Sequence, residues 1–404
     1  MQNLSIPYSG ISPAAQATTG TSAKVYFKNL DGIRCIAAVL VLFQHLSDYK
    51  NDISYQLPNA ERHYVSSLGL FGVTLFFVLS GFLIFYLLFT EKKVTGTIRI
   101  KDFYIRRMLR IWPLYFGFGL VSILGIDLVL KYMGVPVDTP VLENLFYLFT
   151  FSINLQMVFG HLNRGIIELY WSVCIEEQFY LFAPWLVRRG KAMLQIIIGL
   201  ILIGIGSKFL LAYLNAQHIT SFDPDLNPLG FFTTCWFDAF GLGILAAYLH
   251  FHQNIYSRIK PYVENKWIQS VVVLVTILYL FNIIPRPAFI NDYLFSTVPA
   301  ILFAYIILAA STGNFIANLE YPFLRRVGRY SYGIYVFHSA VAQIVLYILA
   351  RVFARDNLFV FEILFPLTSL ILVIIVSGLS YELYEKRFLK IKKKFTLVQN
   401  QKYN

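Results

Sequence analysis

Leu30-Asp31-Gly32-Ile33-Arg34 opens a hydrophobic run that closes on Gln44-His45-Leu46-Ser47-Asp48, and this stretch decides how the chain is read. On a helix, Asp31, Arg34, Ala38, Val41, His45 and Asp48 recur at alternating steps of three and four, so they share one face. That face carries charge at both ends and small or medium apolar residues between, over about 25 Å. Ionisable groups in a bilayer are costly and normally face a protein interior or a watery cavity. The stretch therefore predicts a membrane helix whose polar stripe is turned toward a bundle.

Composition carries that reading to the whole chain. Its 404 residues are 57% hydrophobic and 14% charged, whereas a soluble protein is about a quarter charged. Residues 1–23 are rich in Ser, Thr, Ala and Gln and carry no charge before Lys24, which predicts a disordered tail. The first apolar run starts too far in for a cleavable signal and is expected to act as an uncleaved anchor. The net charge of +12 is gathered in a few short loops and the C-terminal tail, as the positive-inside rule predicts. No basic patch is interleaved with exposed aromatics, so no nucleic-acid partner is expected. Cys35, Cys174 and Cys235 are far apart and odd in number, which supports neither a disulfide framework nor a metal site.

Apolar runs occur at about 33–47, 68–89, 111–131, 142–159, 171–187, 194–214, 229–250, 268–285, 294–311, 331–350 and 359–382. Five connections are rich in Lys and Arg: Lys92 to Arg110, Arg188 to Lys191, Arg258 to Lys266, Arg325 to Arg329, and Lys386 to Lys394. All five reach the cytoplasm only if one run fails to cross. The run 142–159 contains Asn144, Ser152, Asn154 and Gln156, so it is the one demoted. The expected fold class is all-α, a polytopic membrane helical bundle of about ten transmembrane helices plus one interfacial or re-entrant segment. Both termini are expected in the cytoplasm, with a tail over 1–23, a membrane domain over 24–388 and a basic tail over 389–404. Arg34 then lies at the inner end of the first helix and His45 toward the outer. The less basic connections 47–67, 215–228 and 286–293 face outward, where acceptor specificity is expected to reside.

Several residues suit catalysis. His45 is either a snorkelling helix-end histidine or a general base, since its ordinary pKa near ~6.5 allows proton abstraction at neutral pH. Leu169-Tyr170-Trp171-Ser172-Val173-Cys174-Ile175-Glu176-Glu177-Gln178-Phe179-Tyr180 places two carboxylates in an apolar run. Ser172, Glu176 and Phe179 share a face, and the topology sets Glu176 on the outer side with His45. Glu177 suits a wet interfacial position beside an aromatic belt. Arg107 and Arg110, three apart, share a face able to grip a phosphate; positive-inside bias explains neighbours such as Lys92, Lys93 and Arg99. Gly69, Gly72 and Gly81 suit close helix packing, and Ser80 has little around it to mark a nucleophile. Within Tyr330–His338, Tyr332 and His338 either line a polar cavity or bond between helices.

Taken together, these runs resemble the acyltransferase-3 family of membrane O-acyltransferases. The matching stretches are Leu30–Arg34 with His45, Phe76-Phe77-Val78-Leu79-Ser80-Gly81-Phe82, Phe103–Pro113, Trp171–Tyr180, Phe237-Asp238-Ala239-Phe240-Gly241-Leu242-Gly243, and Ser331–His338, in the family's order. The resemblance implies transfer of an acyl group, by family habit acetyl from acetyl-CoA, onto a hydroxyl of a cell-surface or exported carbohydrate, at the plasma (inner) membrane. It implies His45 and Glu176 as catalytic residues, Arg107, Arg110 and Arg34 as donor-binding residues, and Trp171, Ser172, Tyr332 and His338 as substrate-binding residues. Acyl-CoA is then a donor substrate rather than a resident cofactor, and no metal is implied. Some members append an SGNH-type esterase domain; the sequence, ending at Asn404, is expected to be a stand-alone version. The alternative is a transporter or flippase for a glycan, a class that often shows two related halves; no such duplication is visible here.

Overall fold

The computed structural model describes residues 23–52, 67–133, 140–159, 166–190, 192–217, 231–354, 357–396 and 398–400. Strand β1 (Ala23–Val25) leads into helices α1 (Leu30–Asp52), α2 (Leu68–Thr95) and α3 (Ile100–Val121). Two short helices follow, α4 (Val141–Phe149) and α5 (Ile153–Phe159), then α6 (Trp171–Arg189) and α7 (Met193–Ala216). The second half comprises α8 (Phe237–Phe251), α9 (Gln253–Val263), α10 (Lys266–Leu280), α11 (Thr297–Ser311), α12 (Pro322–Arg329), α13 (Ser331–Val352), α14 (Phe365–Ser380) and α15 (Lys386–Lys392). Strand β2 (Val398–Asn400) pairs in parallel with β1, so the two ends of the described chain meet. Most of the sequence predicted as a disordered tail, and most of the outward connections 47–67 and 215–228, fall outside the described residues.

Helix α2 is the axis. Its 28 residues span about 42 Å at ~1.5 Å per residue, longer than the ~30 Å hydrocarbon core. It is apolar on nearly every face, and Phe71, Val78, Phe82 and Phe85 are fully buried. Such a helix must be enclosed by others. Small residues allow the enclosure: a Cβ on Gly81 would stand 2.4 Å from Phe240 O, and one on Gly243 2.1 Å from Val78 O. Backbone thus meets backbone where α2 crosses α8. A Cβ on Gly72 would likewise meet Ala37 O at 2.6 Å, which sets α1 against α2.

Among the described residues, seven helices are long and apolar enough to cross a membrane, and an eighth if the bent pair α9 and α10 counts as one span. The chain is an integral membrane protein. The bend of 75° between α9 and α10 falls at 264–265, within the predicted basic connection Arg258 to Lys266 that precedes the apolar run 268–285. Two further predicted spans do not pass as long apolar helices, for different reasons. Helix α6 carries Glu176, Glu177, Arg188 and Arg189 within 19 residues, and α11 has only 15 residues.

The demoted run 142–159 becomes α4 and α5, of nine and seven residues, each too short to cross. Phe151 joins them in the left-handed region at φ 52°, an uncommon conformation for a bulky residue. Its strain is offset by contacts: its ring stacks on Tyr115 at 4.6 Å, and its carbonyl accepts from Gln178 Nε2 at 2.7 Å. Three of the four polar residues that marked this run, Asn144, Asn154 and Gln156, are buried and internally bonded. Gln156 Nε2 donates to Asn144 Oδ1 at 2.6 Å, and Gln178 Nε2 to Asn154 Oδ1 at 2.9 Å.

The five basic connections converge on one end of the bundle. Lys92 Nζ donates to Val187 O at 2.6 Å, and Lys93 lies over the Phe251 ring that precedes α9. Arg106 bonds Glu91 Oε2 at 2.8 Å and Phe395 O at 2.9 Å. Glu320, ahead of α12, accepts from Tyr26 OH and, at 2.5 Å, from Asn29 N.

Candidate active site

One large cavity, about 1040 Å³, opens between α1, α2, α3, α6, α13 and the C-terminal segment. Its wall includes Arg34, Ser80, Arg107, Arg110, Ser172, Glu176, Tyr180, Tyr332 and Tyr335. Six of these are among the residues the sequence proposed: Arg34, Arg107, Arg110, Ser172, Glu176 and Tyr332. Ser80, Tyr180 and Tyr335 join them.

Glu176 is the hub. Its Oε1 accepts hydrogen bonds from Ser80 Oγ on α2 and from Tyr180 OH one turn further along α6. The Arg107 guanidinium lies 5.5 Å from the Tyr180 ring centroid and 5.7 Å from that of Phe103. Arg107 Nε is buried and makes no hydrogen bond. Arg34 Nη1 donates to Asp31 Oδ1 at 2.5 Å, so the first helix orients its arginine with its own carboxylate. Tyr335 OH donates to Leu169 O at 2.6 Å and accepts from Ser172 Oγ at 2.5 Å. Tyr332 OH donates to Ile111 O at 2.9 Å, tying α13 to α3 beside the arginines.

This geometry corrects one expectation. The loop charges set Glu176 apart from Arg107 and Arg110, at opposite ends of a path. The structure puts all three on one cavity. Arg107 is seven residues into α3, about 10 Å along its axis at ~1.5 Å per residue. Helix α6 begins inside the bundle, after the buried turn Ile166–Tyr170, so Glu176 starts deep rather than at an interface. Glu177 is not wet either: its Oε2 accepts from Trp112 Nε1 at 2.9 Å.

His45 stands elsewhere. It is not part of the cavity wall; its ring packs 5.1 Å from that of His338 and 5.9 Å from that of Tyr49, with Asp48 Oδ2 at 3.8 Å. His338 is 1% exposed, and its Nδ1 donates to Tyr335 O at 2.7 Å. That bond leaves Nε2 as the lone-pair nitrogen, and it has no hydrogen-bond partner. The ring of Tyr335 lies 5.8 Å from that of His338. Tyr335 therefore stands between the cavity and a histidine pair. Trp171 sits apart from both, against Phe231 at 5.3 Å and Trp236 at 5.8 Å.

A second polar cluster escaped the sequence reading. Lys208 on α7 donates to Asp238 Oδ2 at 2.6 Å, Ser296 Oγ at 2.6 Å and Thr297 Oγ1 at 2.9 Å. Neither side chain of the ion pair is exposed. Lys208 is the one charge within Met193–Ala216, a signal available from sequence once intramembrane charge is looked for in every helix. Among the described residues, no three His, Cys, Asp or Glu side chains converge as a metal site.

The model of the acyltransferase-3 family, described as an acyltransferase domain, matches residues 27–382. The chain belongs to that family. It is 27% identical over 335 residues to a protein of Staphylococcus aureus strain COL provisionally named an O-acetyltransferase, covering 79% of this chain and 51% of the relative. It is also 27% identical over 351 residues to the peptidoglycan O-acetyltransferase OatA of Listeria monocytogenes serovar 1/2a, covering 80% and 50%. A third relative, the O-acetyltransferase OatA of Staphylococcus aureus strain NCTC 8325, is 25% identical over 335 residues, covering 79% and 51%. The chain thus spans about half the length of the curated relatives it matches. No solved structure matches it.

Proposed function

We propose that this protein is a membrane O-acetyltransferase that moves an acetyl group from acetyl-CoA to a hydroxyl of a cell-surface or exported carbohydrate. The observation that carries the reading is the cavity itself, which joins a basic mouth at one end of the bundle to Ser172 and Tyr335, with His338 and His45 packed together beyond them. The positive-inside rule sets the basic mouth toward the cytoplasm, where acyl-CoA is made, and both termini with it. The carbohydrate acceptor agrees with the substrate class in the name of the Listeria relative.

In this reading Arg107 and Arg110 grip the donor phosphates by charge-assisted hydrogen bonds, Arg34 adds charge beside them, and the thioester arm runs along the wall of Ser80, Glu176 and Tyr180. Tyr332, Ser172 and His338 shape the inner end. The arm meets the histidines past Tyr335. His45 takes the proton of the acceptor hydroxyl as its oxygen attacks the thioester carbonyl. The tetrahedral intermediate then expels the thiolate, which regains a proton, and the ester forms. Positioning supplies much of the rate, and a general base typically about 10²–10⁴-fold.

The test is acetyl transfer from labelled acetyl-CoA by His45→Ala and His45→Asn proteins purified in the same lipid as the parent. A loss of about 10²–10⁴-fold is expected with the fold intact. Undiminished transfer by either variant overturns the assignment of His45.

A further inference from the structure

The C-terminal segment, separated as a basic tail by sequence, is a wall of the cavity. From Ser380 the last membrane helix opens into a wider turn over Tyr381–Glu385 and continues as α15. Two bonds hold this segment on α3, the helix of Arg107 and Arg110: Tyr384 OH donates to Pro113 O at 3.1 Å, and Arg106 Nη1 to Phe395 O at 2.9 Å. Lys386, Leu389, Lys390, Lys392 and Lys393 line the cavity, whereas Arg387 and Lys394 do not. Membrane topology requires basic residues at this end but does not select a face. This helix turns a set of lysines toward the cavity.

The charge of the wall is lopsided. Nine of its residues are Arg or Lys and two are Glu. Some of the cations are already engaged: Arg106 with Glu91, Arg34 with Asp31, Lys386 with Glu382. Arg110, Arg329, Lys390 and Lys393 have no ion pair among the described residues. Cations in excess around one cavity raise the local concentration of a polyanion and hold it by phosphate contacts. Away from these cations the same wall carries neutral Ser172 and Tyr335, which suits a molecule with phosphates at one end and an uncharged arm at the other.

We infer that Lys390 and Lys393, on the same cavity wall as Arg110, form a clamp for the phosphates of the nucleotide end of the donor. This rests on the acyl-CoA reading above and adds a binding element outside residues 27–382, the span matched by the family model. Phosphate is also the chemistry of an anionic lipid headgroup, so the test separates the two sources.

The full-length protein is placed in nanodiscs of neutral phosphatidylcholine, and coenzyme A binding is measured by calorimetry. Lys390→Gln/Lys393→Gln is expected to weaken binding about tenfold, while Arg387→Gln/Lys394→Gln, on the face turned away, leaves it unchanged. Equal weakening by both pairs would show a diffuse field and overturn the clamp. So would an unchanged affinity in the first pair, including the case where that pair loses only its association with phosphatidylglycerol, the mark of a headgroup anchor. Failure of the unmodified protein to bind coenzyme A strikes the donor reading itself and the clamp with it.

Discussion

Lys208 and Asp238 lie 2.6 Å apart with no exposed side-chain surface, whereas Arg107, Arg110 and Glu176 line a cavity of about 1040 Å³. Both groups place charge inside a membrane bundle. In the first, the ammonium spends its three hydrogens on Asp238, Ser296 and Thr297, with the Phe295 ring 5.1 Å away. Each group leaves one buried atom unbonded, Asp238 Oδ1 in the first and Arg107 Nε in the second, so the difference lies in the balance of charge: the cavity wall holds far more cations than carboxylates. Intramembrane charge is costly in either case. Where partners inside the chain satisfy it and the space is closed, the charge belongs to the fold. Where it is left in excess and lines a cavity, it is available to a ligand.

The comparison breaks most visibly at Lys208. Lys208→Met strands the Asp238 carboxylate, and stability should fall by about 3–5 kcal/mol, read as loss of monodisperse protein and a lower Tm in detergent. Lys208→Met/Asp238→Leu should recover most of it, because an apolar pair replaces a closed ion pair at little cost. A stable single variant would show that this pair is not structural. Arg107→Gln should act the other way. Acetyl transfer is expected to drop about 100-fold, equivalent to ~2.7 kcal/mol of transition-state stabilisation, with Tm held. If Arg107→Gln instead destabilises as Lys208→Met does, the contrast between the two groups fails. The smallest effect belongs to the boundary residue. Tyr335→Phe removes the bond to Leu169 O and the acceptor for Ser172 Oγ, which should cost about 0.5–1.5 kcal/mol of stability. It sharpens the comparison through its kinetics, since a lowered KM for the donor would place Tyr335 in the arm's way.

Much of the site was legible in sequence for one physical reason. Polar residues in apolar runs are conspicuous because the bilayer makes each of them expensive. Arg34, Ser172 and Glu176 were found that way, Arg107 and Arg110 by their spacing in a basic connection, and Tyr332 within a polar run; all six line one cavity. The same cue led to 142–159, though the cause differs from interfacial wetting. Asn144, Asn154 and Gln156 are spent on one another and on α6. Ser80 was passed over because a lone serine beside glycine reads as packing; its partner Glu176 is 96 residues away. Lys208 and Asp238 are 30 apart on different helices, so neither announces the other.

Residue by residue, then, the sequence determined the solvent of this protein, its all-helical class and the rough extent of its longest helices, while the count of about ten spans exceeded the seven or eight that pass among the described residues. Those follow from hydrophobic length and charge, which act locally along a chain. Tertiary packing decided which polar groups share a space: Glu176 with Arg107, His45 with His338 rather than with the cavity, and the C-terminal lysines with the arginines of α3. Which face of a helix meets which neighbour depends on where backbones approach, as at Gly81 and Gly243. That choice is made between helices, and no single run of residues contains it.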